Sequence, residues 1–350
     1  MASNLIGLDI GTSSVKVCQL KETKRGFQLM NYGMIPLPPE AIVDGSIMNS
    51  SAVSDAVREL VESQRIKAKE AAVSVSGNSV ILRKINLPVM TREELDESIK
   101  WEAEQYIPFD INDVFIDTAI LNDHNDQGQM DVLLVAAKKD MINDYTEVVR
   151  GAGIEATVVD VDSFAVQNAF EVNYDLPMGE TVALINVGAS VVNINVIQSR
   201  VSAFTRDIHQ GGNQYTDELQ KQLNVSYDEA EELKIGGRGN EADSVVPQEV
   251  ERVMQQVSES IANDVQRSLD FYGATSADAT IHRIYLSGGC AKVPALGRTI
   301  ENKTGVPIEE LDPFRQVDCT AKGLDPEFLA NQGPMAAVSL GLALRCSDSD

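Results

Sequence analysis

The chain has 350 residues, which is more than one ordinary hydrophobic core accommodates, so two or more lobes are expected. Hydrophobic residues make up 43% and charged residues 23%, proportions typical of a soluble globular protein. The net charge of −24 repels nucleic acid and acidic membrane surfaces, and it therefore excludes both as direct partners.

The cysteines indicate a reducing compartment. They are scattered singly, at Cys18, Cys290, Cys319 and Cys346, and none has the spacing of a zinc site. Strand-like sequence begins at about Leu5, which leaves no room for a signal peptide. No apolar run reaches the roughly 18 residues that a membrane span requires. We therefore expect a cytoplasmic protein, unless a partner recruits it to a membrane.

The first part of the chain predicts a strand meander, a helix and two further strands. The strands cover 5–10, 14–21, 26–36, 71–76 and 79–87, and the helix covers 50–65, capped by Ser50 or Ser51. The pattern changes near Pro88. A helix at 91–106 opens with a capping box from Thr91 to Glu94, and strands at 113–121 and 130–137 and a helix at 139–152 follow. This α+β stretch is expected to be an inserted subdomain.

The second part of the chain repeats the order of strands followed by helices. It predicts a strand at 156–161, a helix at 162–173, strands within 181–207, helices at 211–223 and 226–235, and a polar loop at 238–247. A long helix at 247–273, a buried strand at 281–286 and a helix at 293–304 follow. A last helix starts after Pro334 and ends near Leu344.

These elements suggest a division into two lobes without a low-complexity linker. The expected parts are a first-lobe core at 1–86, the inserted subdomain at 87–157, first-lobe core and hinge at 158–180, a second-lobe core at 181–235, a small second-lobe subdomain at 236–275, further second-lobe core at 276–332, and at 333–350 a helix that returns to the first lobe, with a polar tail.

One phrase occurs twice, at residues 5–17 and 183–194. Each copy is an apolar strand, a polar residue, a tight glycine turn with small hydroxyl residues, and a second alternating strand. Two such hairpins, one in each half, can face each other across a cleft and hold a phosphate chain from both sides. A single copy is more often a plain hairpin turn, and the repetition favours the phosphate site.

The residues of the two turns suit a nucleotide and its metal. Glycine permits a tight turn and close approach of a phosphoryl oxygen, hydroxyls and backbone amides donate hydrogen bonds, and an ammonium can lie near a β- or γ-phosphate. The candidates are Gly11, Thr12, Ser13, Ser14 and Lys16 in the first copy and Asn186, Gly188, Ala189 and Ser190 in the second. Asp9 can hold Mg²⁺ through water.

Three further pieces fit the same ligand. Gly288 and Gly289 follow a buried strand and would let a base and ribose lie against the backbone. Gly211 and Gly212 begin a helix whose N-terminus can attract anions. Glu231 and Lys234 share a helical face and could bind ribose hydroxyls. Taken singly, these pieces are also compatible with an ordinary strand-to-helix turn and a solvated ion pair.

In this order, the pieces resemble the superfamily of ATP-binding folds that includes actin, Hsp70 and the sugar kinases. The resemblance implies an α/β, actin-like (ribonuclease H-like) fold with two lobes, a duplicated core and an inserted FtsA-type α+β subdomain. Its phosphate motifs would be residues 5–16 and 184–190, its adenosine motif 284–292, and its connecting helices would lie near 160–165 and 334–341. The implied ligands are ATP and Mg²⁺.

Within that superfamily, the chain resembles the PilM family of type IV pilus assembly proteins. The resemblance is carried by the runs 7–16, 102–109, 159–165 and 211–213. The chain is also similar to the cell-division protein FtsA, which shares the inserted subdomain. FtsA ends in an amphipathic membrane-binding helix, whereas residues 345–350 here cannot form one.

The resemblance also implies partners. Proteins of this family hold the short cytoplasmic N-terminal peptide of the inner-membrane protein PilN in a groove beside the inserted subdomain. They form part of a cytoplasmic ring around the pilus motor ATPase, peripheral to the inner membrane through PilN and without inserting into it. The helix at 91–106 would be one wall of the groove, and its Trp101 is expected to belong to the core.

One departure from the superfamily concerns catalysis. The second phosphate motif usually begins with Asp, and here the position is Asn186, whose amide cannot accept a proton as a base. Hydrolysis should therefore be slow at most. Asp160 remains a candidate for positioning water, and so does Asp162, although capping of a helix explains Asp162 better. We expect an ATP-binding adaptor; the alternatives are an FtsA-like polymerising protein and a small-molecule kinase of the same fold.

Overall fold

A computed structural model gives the structure of the chain. It describes residues 5–125, 127–177, 179–236, 248–276 and 280–345. The polar loop expected at 238–247 lies outside these residues. The statements that follow concern the described parts of the chain.

The N-terminal half alternates strands and helices much as predicted. In chain order its elements are β1 (Leu5–Ile10), β2 (Ser14–Thr23), β3 (Gly26–Pro36), β4 (Ile42–Val43), β5 (Ser46–Ile47), α1 (Ser50–Ser63), β6 (Glu70–Val75), β7 (Val80–Pro88), α2 (Arg92–Ala103), β8 (Val114–Asn122), β9 (Gln129–Lys138), α3 (Lys139–Gly151), β10 (Glu155–Val161) and α4 (Asp162–Asn173).

The C-terminal half repeats the pattern and contains the longest helix of the described residues, which spans Gln248–Thr275. Its elements are β11 (Thr181–Val187), β12 (Val192–Gln198), β13 (Val201–Ile208), α5 (Gly212–Leu223), α6 (Tyr227–Lys234), α7 (Gln248–Thr275), β14 (Arg283–Ser287), α8 (Leu296–Thr304), β15 (Ile308–Glu310), α9 (Pro326–Gln332) and α10 (Ala337–Ala343). The short elements β15 and α9 were not expected from the sequence.

Two five-stranded sheets share one topology. Their strand orders are β10–β6–β1–β2–β3 and β13–β12–β11–β14–β15. In each sheet three consecutive antiparallel strands form a meander, and two parallel strands continue on the other side of its first strand. The fold is therefore α/β with two lobes and a duplicated core, as the repeated phrase predicts.

A third sheet, of order β7–β9–β8, forms a separate layer covered by α2. The buried face of α2, Leu95, Ile99 and Ala103, has helical spacing and packs on the apolar side of this sheet. The predicted capping box is present, since the side chain of Thr91 accepts from the backbone of Glu94 and the side chain of Glu94 accepts from the backbone of Thr91.

The extent of this third sheet differs from the expected subdomain boundaries. Strand β7 pairs with β9 over its whole length, so the separate sheet starts at Val80 rather than at 87. At the other end, α3 packs its apolar face on α1 in the first-lobe core, and β10 pairs with β6 in the first-lobe sheet. The subdomain therefore spans 80–138, because these two elements bury their apolar surface in the lobe instead.

The two connecting helices, α4 and α10, cross behind the sheets at very short range. A Cβ atom added to Gly341 would lie 1.7 Å from the carbonyl oxygen of Ala165, and one added to Gly7 would lie 2.0 Å from that of Ser339. Glycine is therefore required at position 341, where α10 crosses α4, and at position 7, where α10 crosses β1. The same region holds a shared core to which β1, α4, β11 and α10 contribute Leu5, Phe170, Leu184 and Leu342.

One predicted helix cap differs from the structure. Helix α1 is capped by Asn49, whose side chain accepts from the backbone N–H of Ala52, and not by Ser50 or Ser51. The reason is that the helix begins at Ser50, so the residue before it occupies the cap position, where Asn is as favourable as Ser.

Candidate functional site

The two glycine turns have the same internal structure. The N–H of Gly11 donates to the carbonyl of Ser14 at 3.1 Å, and the N–H of Gly188 donates to the carbonyl of Val191 at 2.9 Å. The flanking strands pair in register directly beside each turn. The repeated phrase is therefore a repeated structure, one copy at the end of the first strand of each sheet.

The two turns meet across the space between the lobes. The side-chain hydroxyls of Thr12 and Ser190 form a hydrogen bond of 2.6 Å. The structure thus places the two turns face to face, as the sequence predicts.

A cleft of about 680 Å³ opens behind this contact, and most predicted ligand-binding residues line it. Those that do are Asp9, Gly11, Thr12, Ser13, Ser14, Lys16, Asn186, Gly188, Ala189, Ser190, Gly212, Glu231, Lys234, Gly288 and Gly289. Gly211 and Asp160 do not line it. The cleft also exposes side chains that the sequence reading did not single out, among them Ser74, Asn193, His209, Tyr227 and Lys292.

Asp9 and Lys16 form an ion pair at the floor of the first turn. They lie directly opposite each other on β1 and β2, and the distance from Lys16 Nζ to Asp9 Oδ2 is 3.0 Å. Both side chains are largely buried, at 12% and 13% exposure. The candidate phosphate-binding cation and the candidate metal-binding carboxylate therefore neutralise each other when no ligand intervenes.

The glycines of the adenosine motif have different roles. Gly288 has φ of +88°, and a Cβ there would lie 2.4 Å from the carbonyl oxygen of Val187, so no other residue fits. An added Cβ on Gly289 would meet nothing within 4 Å, so the backbone there faces open space in the cleft. A flat ligand group can approach the backbone at Gly289.

The start of α5 supports the second turn instead of attracting an anion. The N–H groups of Gly212 and Asn213 donate to the carbonyls of Gly188 and Ala189 at 2.9 and 2.8 Å. A Cβ at Gly211 would lie 2.5 Å from the carbonyl oxygen of Gly188. The prediction that this helix N-terminus can attract an anion is therefore corrected for Gly212 and Asn213, because these two amides already have protein partners.

Glu231 and Lys234 face the cleft together, as their spacing predicts. Lys234 Nζ lies 2.5 Å from Glu231 Oε1 and 3.1 Å from the hydroxyl of Thr216, which in turn donates to Glu231. The group joins α5 to α6 and presents both charges at one side of the cleft.

A row of polar side chains crosses the second sheet at the cleft. The Ser287 hydroxyl donates to Asn186 Oδ1 at 3.2 Å, Asn186 Nδ2 donates to Asn193 Oδ1 at 2.9 Å, and Asn193 Nδ2 donates to Asp207 Oδ1 at 2.9 Å. The other oxygen of Asp207 accepts from the backbone N–H of Gly77 at 2.6 Å. Burial raises the pKa of Asp207.

The pair Asn186 and Asn193 occupies the same place in its sheet as Asp9 and Lys16 in theirs. In both pairs the residues are seven apart, lie directly opposite on the first two strands, and are joined by a side-chain hydrogen bond. The first lobe thus presents an ion pair to the cleft, and the second lobe presents a neutral pair of amides.

Asp160 does not reach the cleft, which corrects its predicted role in positioning water. Its side chain accepts from the backbone N–H of Val161 and lies 3.2 Å from the guanidinium of Arg345. Burial raises the pKa of its carboxyl group, and Arg345 partly offsets the effect. No candidate base for a kinase reaction is left at this position.

Asp162 is the carboxylate that enters the cleft from the same segment. Its Oδ1 accepts from the hydroxyl of Ser74 at 2.5 Å, and the side chain makes no capping hydrogen bond to α4. The capping role expected for Asp162 is therefore wrong. Burial, reinforced by the nearby charge of Asp9, raises the pKa of Asp162 to about 6.

Asn193 and Asp207 are the functional candidates that the sequence reading missed. A signal was available for the first, because Val192–Gln198 reads as a buried strand interrupted by asparagines at 193 and 195. Polar residues in a buried strand need partners and so mark a site. Within the described ranges, no three His, Cys, Asp or Glu side chains come together as a metal site would need.

Trp101 is 78% exposed, so the expectation that it belongs to the core is wrong. It stands on the side of α2 away from Leu95 and Ile99, which pack on the third sheet. Phe115 of the same subdomain is also exposed, with the ammonium of Lys139 lying 5.6 Å from its ring. The subdomain therefore presents aromatic surface to solvent.

Comparison with known proteins gives a consistent picture. The family model of "Type IV pilus assembly protein PilM" matches residues 7–347. Among solved structures, a chain of a "PilM-PilN type IV pilus biogenesis complex" superposes with a TM-score of 0.88 at 26% identity, covering 99% of each chain. EutJ, an ethanolamine utilization protein of Carboxydothermus hydrogenoformans, shares the fold, with a TM-score of 0.58 at 16% identity over 98% of this chain and 89% of its own.

Among curated proteins, the chain is similar to the cell division protein FtsA. The identity is 26% over 254 residues with FtsA of Streptococcus pneumoniae and 24% over 253 residues with that of Bacillus subtilis, in each case 65% of this chain. The aligned region spans only 54% and 57% of those relatives, so the chain covers about half of their length. Among the helices of the described residues, none is both long and apolar enough to span a membrane.

Proposed function

The chain belongs to the PilM family of type IV pilus assembly proteins, and from this premise we propose that it is an ATP-binding, actin-like adaptor that holds the N-terminal peptide of PilN. The observation that carries the proposal is the likeness to the PilM–PilN complex over 99% of both chains. PilN would bring the adaptor to the cytoplasmic face of the inner membrane. There it would join a ring around the motor ATPase.

The geometry of the cleft supports the binding of a nucleoside triphosphate between the lobes. The turns at Gly11 and Gly188 provide backbone amides and hydroxyls from both sides, and Lys16 provides the cation. The adenosine would lie against the open backbone at Gly289, with its ribose near Glu231. A volume of about 680 Å³ is within the range of pockets that bury small-molecule ligands.

The acidic side chains of the cleft fit Mg²⁺ bound with the phosphates. Asp9 and Asp162 both line the cleft and lie close enough for the charge of Asp9 to raise the pKa of Asp162. Mg²⁺ in nucleotide sites uses one or two carboxylates, phosphate oxygens and several waters. The ion would neutralise phosphate charge. Asp9 would hold it through water, since its side chain already accepts from Lys16.

Slow hydrolysis at most is consistent with the polar groups on the second turn. The Oδ1 of Asn186 accepts from Ser287 and its Nδ2 donates to Asn193. None of these three side chains is a base that could take a proton from the attacking water. Asp162 is the carboxylate available on the opposite wall. We propose that ATP acts mainly as a ligand that holds the lobes together.

Two measurements test the proposal together. ATP with Mg²⁺ should raise the melting temperature of the protein, because a ligand that binds only the native state stabilises it by mass action. Lys16→Gln should remove most of that rise, whereas Lys21→Gln, an exposed lysine on the same strand, should retain it. A rise that is unchanged in Lys16→Gln would contradict the phosphate assignment.

The adaptor role is tested separately with a synthetic peptide of the PilN cytoplasmic N-terminus. Titration calorimetry should detect binding at a single site, and a scrambled peptide of equal composition should not bind. If neither peptide binds, with or without ATP, the protein is not a PilN adaptor.

The similarity to FtsA supports a second candidate, a polymerising protein. Light scattering after addition of ATP distinguishes the two. Filaments would raise the scattering with a sharp dependence on protein concentration, and an adaptor would leave it flat.

A further inference from the structure

The polar row across the second sheet is continuous, with one side-chain hydrogen bond between each pair of neighbouring strands. Ser287, Asn186, Asn193 and Asp207 lie directly opposite one another on β14, β11, β12 and β13. The residues that flank the two asparagines along their strands are apolar and buried. Polar groups in such a setting cost free energy unless each has a partner, and each group of this row has one.

The hydrogen bonds of the row all point in one direction, and Asp207 sets it. A carboxylate can only accept, so Asn193 must turn its Nδ2 towards Asp207. The Oδ1 of Asn193 then faces Asn186, which must donate to it. One carboxylate, two strands away from Asn186, therefore fixes the orientation of both amides.

Asp207 also joins the row to the other lobe. Its second oxygen accepts from the N–H of Gly77, which lies between β6 and β7. The donors from Asn193 and Gly77 hold the carboxylate from both sides of the cleft. The orientation of the amides is thus tied to the closed arrangement of the lobes.

We propose that Asp207 is a positioning residue of the nucleotide cleft: it orients Asn193 and Asn186 so that the second N–H of each amide is left for the phosphates, and it couples this orientation to lobe closure through Gly77. The inference rests on the proposed function, since it assigns those N–H groups to ATP. An amide nitrogen carries two N–H donors, and the row uses one of each.

The proposal can be tested by reversing the donor-to-acceptor direction of the hydrogen bonds in the row. Asn186→Asp places an acceptor-only group on each side of Asn193, whose amide can donate to only one of them along the row. The melting temperature without nucleotide should therefore fall by about 5 °C. In the double variant Asn186→Asp/Asp207→Asn, the new amide at position 207 still accepts from Gly77 and donates to Asn193, which turns over and donates to position 186. The double variant should regain most of the loss.

A matched control separates the row from simple charge balance. Asn186→Asp/Asp162→Asn has the same net charge and neutralises another carboxylate of the cleft, but Asp162 does not belong to the row. It should show only the sum of its two single effects. A departure from additivity between Asn186→Asp and Asp162→Asn as large as that between Asn186→Asp and Asp207→Asn would overturn the proposal. So would a double variant with Asp207→Asn as unstable as Asn186→Asp alone. An unfolded single variant beside a folded reversed one would support it.

The same variants distinguish this inference from the proposed function. Asp207→Asn alone should stay folded near the wild-type melting temperature, because the whole row can reverse onto the Ser287 hydroxyl. Its rise in melting temperature with ATP should shrink by about half or more, since the amide N–H groups are displaced. A full rise would overturn the positioning role. If ATP has no effect on the wild type, the proposed function fails, and the nucleotide-free comparison still decides whether Asp207 directs the row.

Discussion

Single residues decide the electrostatics of the cleft. Asp9 and Asp162 approach the same space from β1 and from the start of α4, and only Asp9 has a cation beside it. Burial and the charge of Asp9 together raise the pKa of Asp162 to about 6. The cleft therefore contains a carboxylate whose ionised form is less stable than it would be in water, and a bound cation would stabilise that form.

This raised pKa predicts a pH dependence of stability. Between about pH 4 and pH 6 the native state binds the proton of Asp162 more tightly than the unfolded state does, so the free energy of unfolding falls as pH rises through this window. Asp162→Asn removes the effect and should raise the stability by about 1–2 kcal/mol at pH 7.5, and by much less at pH 5. Thermal unfolding at both values measures it.

The exposed Asp270→Asn serves as the control for Asp162→Asn, because it removes the same charge from the surface of α7. A gain of equal size at both pH values would mean that Asp162 does not titrate in this range.

At the residue scale, the turns could be predicted from neighbouring residues, but the directions in which the aspartate side chains point could not. The glycine turns could be predicted because a tight turn, small hydroxyls and a cross-strand partner all lie within a few residues. Asp160 and Asp162 could not be ranked from the sequence, since β10 ends at Val161 and the change of backbone direction there sends only Asp162 into the cleft. Asp207 was missed because one of its partners, Gly77, comes from a distant part of the chain.

Among the elements, α2 carries the most exposed large hydrophobic side chain of the described residues. Its inner face fills the core of the subdomain, and Trp101 stands out on the other side at 78% exposure. An aromatic side chain in that position contributes little to folding and much to a partner interface. The helix therefore remains our candidate for one wall of the PilN groove.

Replacing this side chain tests the assignment. Trp101→Ala should leave the melting temperature within about 1 °C of the wild type, because little surface is buried there, and should weaken the PilN peptide about tenfold or more. Phe271→Ala, which removes an exposed aromatic from α7 in the other lobe, should leave the peptide affinity unchanged. An unaltered affinity in Trp101→Ala would place the groove elsewhere.

The existence of elements could be predicted better than their membership of a sheet. The capping box and apolar spacing of α2 are local, and both are present as expected. The strand β7 was expected in the lobe and lies in the third sheet, because pairing with β9 is a contact between residues about fifty positions apart that no local pattern reveals. The position of α3 likewise depends on the apolar face of α1.

On the scale of the whole molecule, the crossing of α4 and α10 fixes the back of the cleft. The shared core beneath it draws residues from both sheets and both helices, in addition to the separate core of each lobe. The duplicated topology followed from the repeated phrase. The close contact at the crossing could not be predicted, since a glycine within a helix is compatible with many other roles.

The crossing predicts a large effect from one methyl group. Gly341→Ala places a Cβ 1.7 Å from the carbonyl oxygen of Ala165, so the helices must separate, at a cost of about 2 kcal/mol or more. Gly297→Ala is the matched control in α8, where the added Cβ meets the side chain of Leu286 at 3.7 Å, an ordinary contact. It should be neutral or stabilising by about 0.5–1 kcal/mol. Chemical denaturation of both variants measures the difference, and similar stabilities would show that the crossing tolerates expansion.

The hydroxyl contact between Thr12 and Ser190 has a consequence for the rate at which the protein exchanges its ligand. Within the described residues, the side of the cleft at the two glycine turns is joined by this hydrogen bond between two small side chains and by the bond from Gly77 to Asp207. Breaking such bonds requires no repacking of apolar side chains, whereas the rear of the molecule is buried. A nucleotide should therefore bind and dissociate by brief separation of the two glycine turns. This opening should be much faster than global unfolding.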